Sequence, residues 1–122
     1  MNNHQLQYYL VWCSKRKKSV LTGNIKNRLE QIVNEVANEL GIKIIELTVN
    51  PDHVRLLISA HSKISVHKII KRIKARTSHV LRREFPELLK LPSLWTRSYF
   101  VITVGEIQDE IIKEYVESQR GK

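Results

Sequence analysis

A short turn near the middle of the chain constrains the fold more than any other feature. Asn50-Pro51-Asp52 separates two apolar runs, Ile42 to Val49 and His53 to Ser59, which are rich in β-branched residues. Such runs predict two strands, and the Pro-containing segment predicts the turn between them. Because a helical pattern lies on each side of this pair, we expect a mixed α and β fold with strands at its centre.

The two flanking segments have the 3.6-residue spacing of amphipathic helices. The first is capped by Thr22 or Asn24 and ended by Gly41, and the second is capped by Ser65 and closed by Pro86. The apolar positions of the first are Ile25, Leu29, Ile32, Val33, Val36 and Leu40. The inward positions of the second are Val66, Ile69, Ile70, Ile73, Thr77, Val80 and Leu81.

Two further strands and a last helix complete the predicted order. Gln7 to Ser14 and Ser98 to Val104 predict strands, and a final helix is expected from Ile107 to Gln119. The order β-α-β-β-α-β-α contains the split βαβ pattern of ferredoxin-like folds. We therefore predict an α+β fold with a four-stranded antiparallel sheet and a C-terminal helix, forming one domain over residues 1–122.

The charge of the chain favours a polyanionic partner. The net charge is +9, which makes nucleic acid the first candidate and an acidic membrane surface the second. Glu84 is the only acidic residue from Ser65 to Phe85. This bias favours a phosphate-binding surface over an ordinary solvated helix face. The candidate DNA-binding residues are Lys15, Arg16, Lys17, Lys18, Lys68, Lys71, Arg72, Lys74 and Arg76.

Several classes of protein are disfavoured by what the sequence lacks. No apolar run approaches the roughly 20 residues of a membrane helix, and the first residues do not resemble a signal peptide. Cys13 is the single cysteine, which excludes an intramolecular disulfide and predicts a cytoplasmic protein. There is no Gly-rich phosphate loop, Cys–His nucleophile pair or close carboxylate pair. We expect neither membrane binding nor a small-molecule substrate.

Two pairs of residues are candidates for chemistry. Side chains alternate along the third strand, so His53 and Arg55 are expected to project together from the face that the two long helices leave open. Tyr115 and Gln119 are four residues apart, so they share one helix face, beside an apolar stripe of Ile107, Ile111, Ile112 and Val116. The alternatives are a polar pair on a solvated sheet face and a tyrosine that only packs.

In combination these segments resemble the single-tyrosine transposases of the HUH class, which cut and rejoin single-stranded DNA. The resemblance covers roughly residues 7 to 119. It rests on Pro51-Asp52-His53-Val54-Arg55, on Tyr115 to Gln119, and on the segments around Trp12 and Trp95 in the same order. It implies that Tyr115 forms a 5′-phosphotyrosine and that His53 and Gln119 bind Mg²⁺ or Mn²⁺. It also implies a homodimer that recognises hairpin DNA and whose tyrosine can complete the partner's active site.

The chain departs from this family at one site residue. Arg55 stands where a second histidine is usual, and a guanidinium stays protonated and cannot be a metal ligand. It can bind a phosphate oxygen bidentately instead. Asp52 could replace the lost ligand only if the turn re-aims it, because its adjacent position otherwise points it toward the opposite side. A glycine is usual at the place of Ser98. We expect a weakened metal site, and DNA binding with weak or absent cleavage.

Two other functions remain open at this level. One is a catalytically impaired, DNA-binding member of the same family, in which Arg55 provides a fixed positive charge in place of metal. The other is an unrelated ferredoxin-like RNA-binding module. Such modules carry exposed aromatic residues on their central strands, whereas the third strand here offers His53 and Arg55.

Overall fold

The computed structural model describes residues 5–61, 63–104 and 109–122, with the side chains of residues 109 and 110 left out. Its main elements follow the predicted order. They are β1 (Gln5–Cys13), α1 (Gly23–Leu40), β2 (Lys43–Asn50), β3 (His53–His61), α2 (Val66–Glu84), β4 (Phe100–Thr103) and α3 (Asp109–Ser118). Short 3-10 turns at Lys15–Lys17 and Pro86–Lys90 were not predicted.

The four strands form one antiparallel sheet in the order β2-β3-β1-β4. The two central strands, β1 and β3, pair along their whole length, with Trp12 opposite Val54 and Cys13 opposite His53. The element order and strand order confirm the ferredoxin-like α+β prediction.

Both long helices pack on one face of the sheet. Trp12, Val54, Leu56 and Ile58 point to this face and are fully buried. The helices contribute their predicted apolar stripes, because alternate strand positions and every third or fourth helix position meet between the two layers. The buried helix positions are Ile25, Leu29, Ile32, Val33, Val36, Ala37, Ile69, Ile70, Ile73, Thr77, Val80 and Leu81, whereas the predicted Leu40 and Val66 are only partly buried.

The opposite face of the sheet is covered by α3. Ile112 and Val116 pack on Val11 and Cys13, whose side chains alternate with those of the main core. Ile111 is 39% exposed, so the predicted apolar stripe is wrong at that residue. Ile107, the predicted start of the helix, lies outside the described residues. The last helix therefore packs on the sheet face that the two long helices leave open.

The observed element ends differ from prediction by a few residues. β4 begins at Phe100, so Ser98 lies before the strand, where its backbone carbonyl accepts a hydrogen bond from Lys74 instead of joining the sheet. The predicted cap of α2 is confirmed, since the Ser65 hydroxyl accepts from the Lys68 amide. Gly41 ends α1 at φ 68°, a left-handed conformation that suits glycine. Within the described residues, no helix is long and apolar enough to cross a membrane.

Candidate active site on the α3 face

His53 is held by the turn that precedes its strand. Its Nδ1 lies 2.7 Å from Asp52 Oδ1, and its Nε2 lies 3.0 Å from the amide nitrogen of Asn50. Because a carboxylate only accepts hydrogen bonds, Nδ1 donates to Asp52 and Nε2 accepts from Asn50. Both ring nitrogens are therefore engaged, and the ring orientation is fixed.

The turn directs Asp52 toward His53. The residue lies in the turn and not in the strand, so strand alternation does not apply to it, and its carboxylate contacts His53 directly. Its second oxygen lies 3.7 Å from Lys17 Nζ. Asp52 is thus the hydrogen-bond partner that orients the imidazole, an arrangement that is also common behind metal-binding histidines.

His53 and Arg55 lie together on the α3 face, as the alternation of β3 predicts. Both line a cavity of about 220 Å³, which we call the His53 cavity. The Arg55 guanidinium lies 6.0 Å from the centre of the Tyr9 ring, a distance at which a cation is attracted to an aromatic face. The other lining residues are Lys17, Ile112, Lys113, Val116 and Glu117.

Tyr115 and Gln119 meet at Ser98, on the β4 side of α3. The Ser98 hydroxyl donates to Gln119 Oε1 at 2.8 Å, and it lies 3.0 Å from the Tyr115 hydroxyl. Since the one Ser98 proton is given to Gln119, Tyr115 donates its own proton to Ser98. Gln119 follows Ser118, the last residue of α3, so it lies just beyond the helix that carries Tyr115, and one serine connects the two side chains.

The surroundings of Tyr115 keep its phenol protonated. Burial raises its pKa above the ordinary value of 10.0, and the hydrogen bond to Ser98 opposes that rise. The Tyr115 ring stacks on Phe100 with ring centres 5.4 Å apart, which fixes its direction. In this arrangement the ring is held in place and the hydroxyl stays protonated.

Residues 96–98 are held from α2 by Lys74, and Ser98 is also held by its hydrogen bonds to Tyr115 and Gln119. From α2, Lys74 Nζ donates to the carbonyl oxygens of Thr96, Arg97 and Ser98 at 2.7, 3.4 and 2.9 Å. Burial lowers the pKa of Lys74 to about 8. The same segment lines a second cavity of about 340 Å³, which we call the Ser98 cavity, together with Lys15, Gln119 and Lys122.

The predicted DNA-binding residues do not form one surface. Lys68, Lys71 and Arg72 are exposed on α2, which packs on the sheet face opposite α3. Lys74 and Arg76 have partners within the chain, Lys74 through backbone carbonyls and Arg76 through Glu39 at 2.8 Å. In the loop after β1, Arg16 and Lys18 are exposed, Lys15 lines the Ser98 cavity, and Lys17 pairs with Glu117 at 3.1 Å.

The two candidate pairs lie in different cavities. His53 and Arg55 line one, and Gln119 lines the other with Ser98, the hydrogen-bond partner of Tyr115. Among the described residues, no hydrogen bond joins His53 to Tyr115 or Gln119. The residues that the resemblance assigns to a single active site are therefore not joined by direct hydrogen bonds in the described part of the chain.

These residues do not fit a divalent cation as arranged. His53 Nε2 is occupied by the Asn50 amide, Gln119 Oε1 accepts from Ser98, and Arg55 adds positive charge to the His53 cavity. Of the described residues, no three His, Cys, Asp or Glu side chains are grouped as metal ligands. Mg²⁺ and Mn²⁺ require several oxygen or nitrogen donors together, so this arrangement lacks the donor set.

Several residues of the two cavities were not recognised as site residues from the sequence. Lys113 and Glu117 line the His53 cavity, and Arg97 and Lys122 line the Ser98 cavity. Lys113 and Glu117 lie two residues before Tyr115 and Gln119, respectively, which places them on a different side of the helix. This spacing is only a weak indication that they belong to the site. Ser98 stood out only as a departure from the usual glycine, and nothing in the sequence indicates its contact with α3.

Comparison with known proteins gives a consistent result. A family model described as "Transposase IS200 like" matches residues 2–119. The ISDra2 transposase TnpA of Deinococcus radiodurans is 34% identical over 122 residues, covering 98% of this chain and 87% of that protein. The transposase for insertion sequence element IS200 of Salmonella typhimurium is 25% identical, with 95% and 81% covered.

Solved structures agree with the fold. The crystal structure of a candidate transposase from Deinococcus radiodurans superposes with a TM-score of 0.90 at 31% identity, covering 98% of this chain and 94% of that one. A REP-associated tyrosine transposase bound to a REP hairpin has a TM-score of 0.65 at 12% identity. That alignment covers 96% of this chain and 66% of that one, and it shows a shared fold alone.

Proposed function

The chain belongs to the IS200-like transposase family, and we propose that it acts on single-stranded DNA at hairpin-flanked ends with Tyr115 as the nucleophile. One observation carries this proposal. The Tyr115 hydroxyl lies 3.0 Å from the Ser98 hydroxyl, and Ser98 lines a cavity with Lys15 and Arg97. The proposed nucleophile therefore contacts a residue of a cavity that carries positive charge.

In the proposed reaction the Tyr115 oxygen attacks a DNA phosphorus. A bond forms between that oxygen and phosphorus, and the bond from phosphorus to the 3′ oxygen breaks. The phenol proton is released, and the departing oxygen takes up a proton to give a free 3′-hydroxyl. The 5′-phosphotyrosine retains the energy of the bond, so rejoining needs no nucleotide triphosphate. The described residues of one chain lack a full donor set for Mg²⁺ or Mn²⁺, so no step is assigned to a metal ion.

We propose that the active form is a homodimer. Within one chain His53 lines one cavity, while Ser98, the hydrogen-bond partner of Tyr115, lines the other, and a second copy offers a way to bring a tyrosine to His53. Light scattering at micromolar concentration is expected to give about twice the 14.3 kDa mass of the chain. A strictly monomeric protein that still cleaves DNA would contradict this arrangement.

We propose that the partner is single-stranded or hairpin DNA. The net charge of +9 and the exposed cations of α2 support this, and the distantly similar REP transposase is described as bound to a hairpin. If six phosphates are neutralised, the log–log dependence of affinity on salt has a slope of roughly −4 to −5, at about 0.7 to 0.9 per contact. A flat salt response would contradict direct DNA binding.

Covalent trapping tests the tyrosine mechanism. A labelled hairpin oligonucleotide is incubated with the protein and Mn²⁺, and a protein–DNA adduct is scored on a denaturing gel. We expect a weak adduct with the natural chain and none with Tyr115→Phe, which keeps the stacking on Phe100 but lacks the attacking oxygen. Tyr99→Phe is the control, since it removes a different hydroxyl. An adduct that survives Tyr115→Phe would overturn the proposal.

A second candidate is a DNA-binding member of the family that no longer cleaves. The observation that favours it is Arg55, which brings a fixed positive charge into the His53 cavity where a ligand is usual. DNA binding with no adduct at any protein concentration would select this alternative. The family match leaves the unrelated RNA-binding module without support.

A further inference from the structure

The Ser98 cavity has an unusual charge distribution for its size. Its lining residues include Lys15, Arg97 and Lys122, and none of the described lining residues is acidic. The His53 cavity differs, because Glu117 lies among its basic residues and pairs with Lys17. Like charges that face one cavity without an acidic neighbour repel each other, and an anion between them relieves that repulsion.

The cations of the Ser98 cavity are not neutralised inside the described part of the chain. Lys15, Arg97 and Lys122 form no ion pair there. Other basic residues of the molecule do so, as Arg28 pairs with Glu84 at 2.9 Å and Arg76 with Glu39 at 2.8 Å. The side chains of Lys15 and Arg97 are therefore available to an external anion.

The walls of this cavity are built by backbone contacts that fix their positions. The Lys15 amide donates to the Leu94 carbonyl at 2.8 Å, and the Thr96 amide donates to the Cys13 carbonyl at 3.0 Å. Lys74 holds the carbonyls of residues 96–98 from the other side. A site whose walls are fixed before binding loses less entropy when the ligand arrives.

We propose that the Ser98 cavity binds one phosphate of the DNA strand directly, through Lys15 and Arg97. This inference rests on the proposed function and names the part of the protein that receives the strand. The Arg97 guanidinium matches two phosphate oxygens in a fork, and Lys15 adds a point charge. Because Ser98 lies in the cavity wall 3.0 Å from the Tyr115 hydroxyl, the bound strand passes beside the proposed nucleophile.

A pair of charge-matched variants tests this site. Lys15→Gln with Arg97→Gln removes the two cavity cations, and Lys43→Gln with Lys90→Gln removes two exposed cations elsewhere. Both variants lower the net charge equally, so long-range attraction changes equally. Binding of a labelled 12-nucleotide single strand is measured by fluorescence anisotropy over a range of salt concentrations.

We expect the cavity variant to bind at least tenfold more weakly than the control variant. Its salt slope should be smaller than that of the control by about 0.7, the value for one phosphate contact on a single strand. Lys15→Arg with Arg97→Lys keeps both charges and should restore most of the slope. Adding inorganic phosphate to the natural protein shows whether the site takes a free phosphate or needs the strand.

The phosphate site and the proposed function can fail separately, and the binding measurement distinguishes the two failures. If the natural chain binds the strand and both variants bind equally, the Ser98 cavity is not the phosphate site, and the proposed function stands. If the natural chain binds no DNA at low salt, both proposals fall. Should the cavity variant unfold, amide shifts of the natural chain decide: shifts at residues 96–98 and 119 support the site, and shifts confined to α2 overturn it.

Discussion

The sheet face under α1 and α2 buries much more apolar surface than the face under α3. The first buries a continuous apolar core that includes Trp12 and Leu56. In the described residues the second buries a small cluster of Val11, Cys13, Ile112 and Val116, surrounded by polar and charged side chains. Hydrophobic burial scales with area, so the first face supplies most of the stability. The second face supplies less stability and carries more polar and charged side chains.

The thin cluster under α3 also bears on how the site could be rearranged. A helix that is held by few buried contacts opens at lower free energy than the core does. Such opening would release Tyr115 and Gln119 from Ser98 without unfolding the sheet. Weak packing of α3 would therefore let Tyr115 change its position relative to His53 while the sheet stays folded.

Matched isoleucine truncations on the two faces test this difference most strongly. Ile73 on α2 and Ile112 on α3 are both buried, at 0% and 2% exposure. Truncation of a buried isoleucine to alanine costs about 2–5 kcal/mol, and more where the site cannot collapse. We expect Ile73→Ala near the upper end and Ile112→Ala near the lower end, measured by chemical denaturation. An equal or larger cost for Ile112→Ala would contradict the comparison.

Removal of the Ser98 hydroxyl tests the attachment of α3. Ser98→Ala deletes the shared partner of Tyr115 and Gln119, at about 0.5–1.5 kcal/mol for each hydrogen bond. We expect faster amide exchange in α3 and little change in α1 and α2, measured by hydrogen exchange. Ser93→Ala, which removes a hydroxyl that donates to the Trp95 carbonyl, is the control. Uniform acceleration across all helices would show that α3 does not open separately.

The pH dependence of stability sharpens the account of Lys74. Its pKa is lowered to about 8 in the folded protein from an ordinary 10.5, so the folded protein releases this proton first. Between these values the unfolded chain binds more protons, and the contribution of Lys74 to stability rises with pH. Lys74→Met should lack this rise. The check is the difference in unfolding free energy between the two proteins from pH 7 to 10.5, and a constant difference would contradict it.

The fold was predictable because each face has a local signature. The spacing of Ile69, Ile70 and Ile73 predicts a buried helix stripe, and the alternation from His53 to Ile58 predicts the two faces of β3. Local patterns also identified Tyr115 and Gln119 as neighbours. The ferredoxin-like arrangement follows from the order of such elements.

The composition of the site was less predictable, because it depends on contacts between distant parts of the chain. Ser98 contacts Tyr115, which lies 17 residues later in the sequence, and Gln119, which lies 21 residues later. Arg76 is paired with Glu39, which lies 37 residues earlier in the sequence, a contact that the basic run of α2 does not reveal. Asp52 escaped the alternation rule because it belongs to a turn. No spacing rule reports any of these contacts.

The central claim is that the α3 face carries the chemistry and that Arg55 restrains it. The most direct test compares Arg55→His with the natural chain in the Mn²⁺ cleavage assay on a hairpin oligonucleotide. We expect Arg55→His to raise metal-dependent cleavage strongly, because it replaces a fixed cation beside His53 with a neutral ligand. Cleavage by the natural chain should be weak or absent. Vigorous cleavage by the natural chain, with no gain from Arg55→His, would contradict the claim.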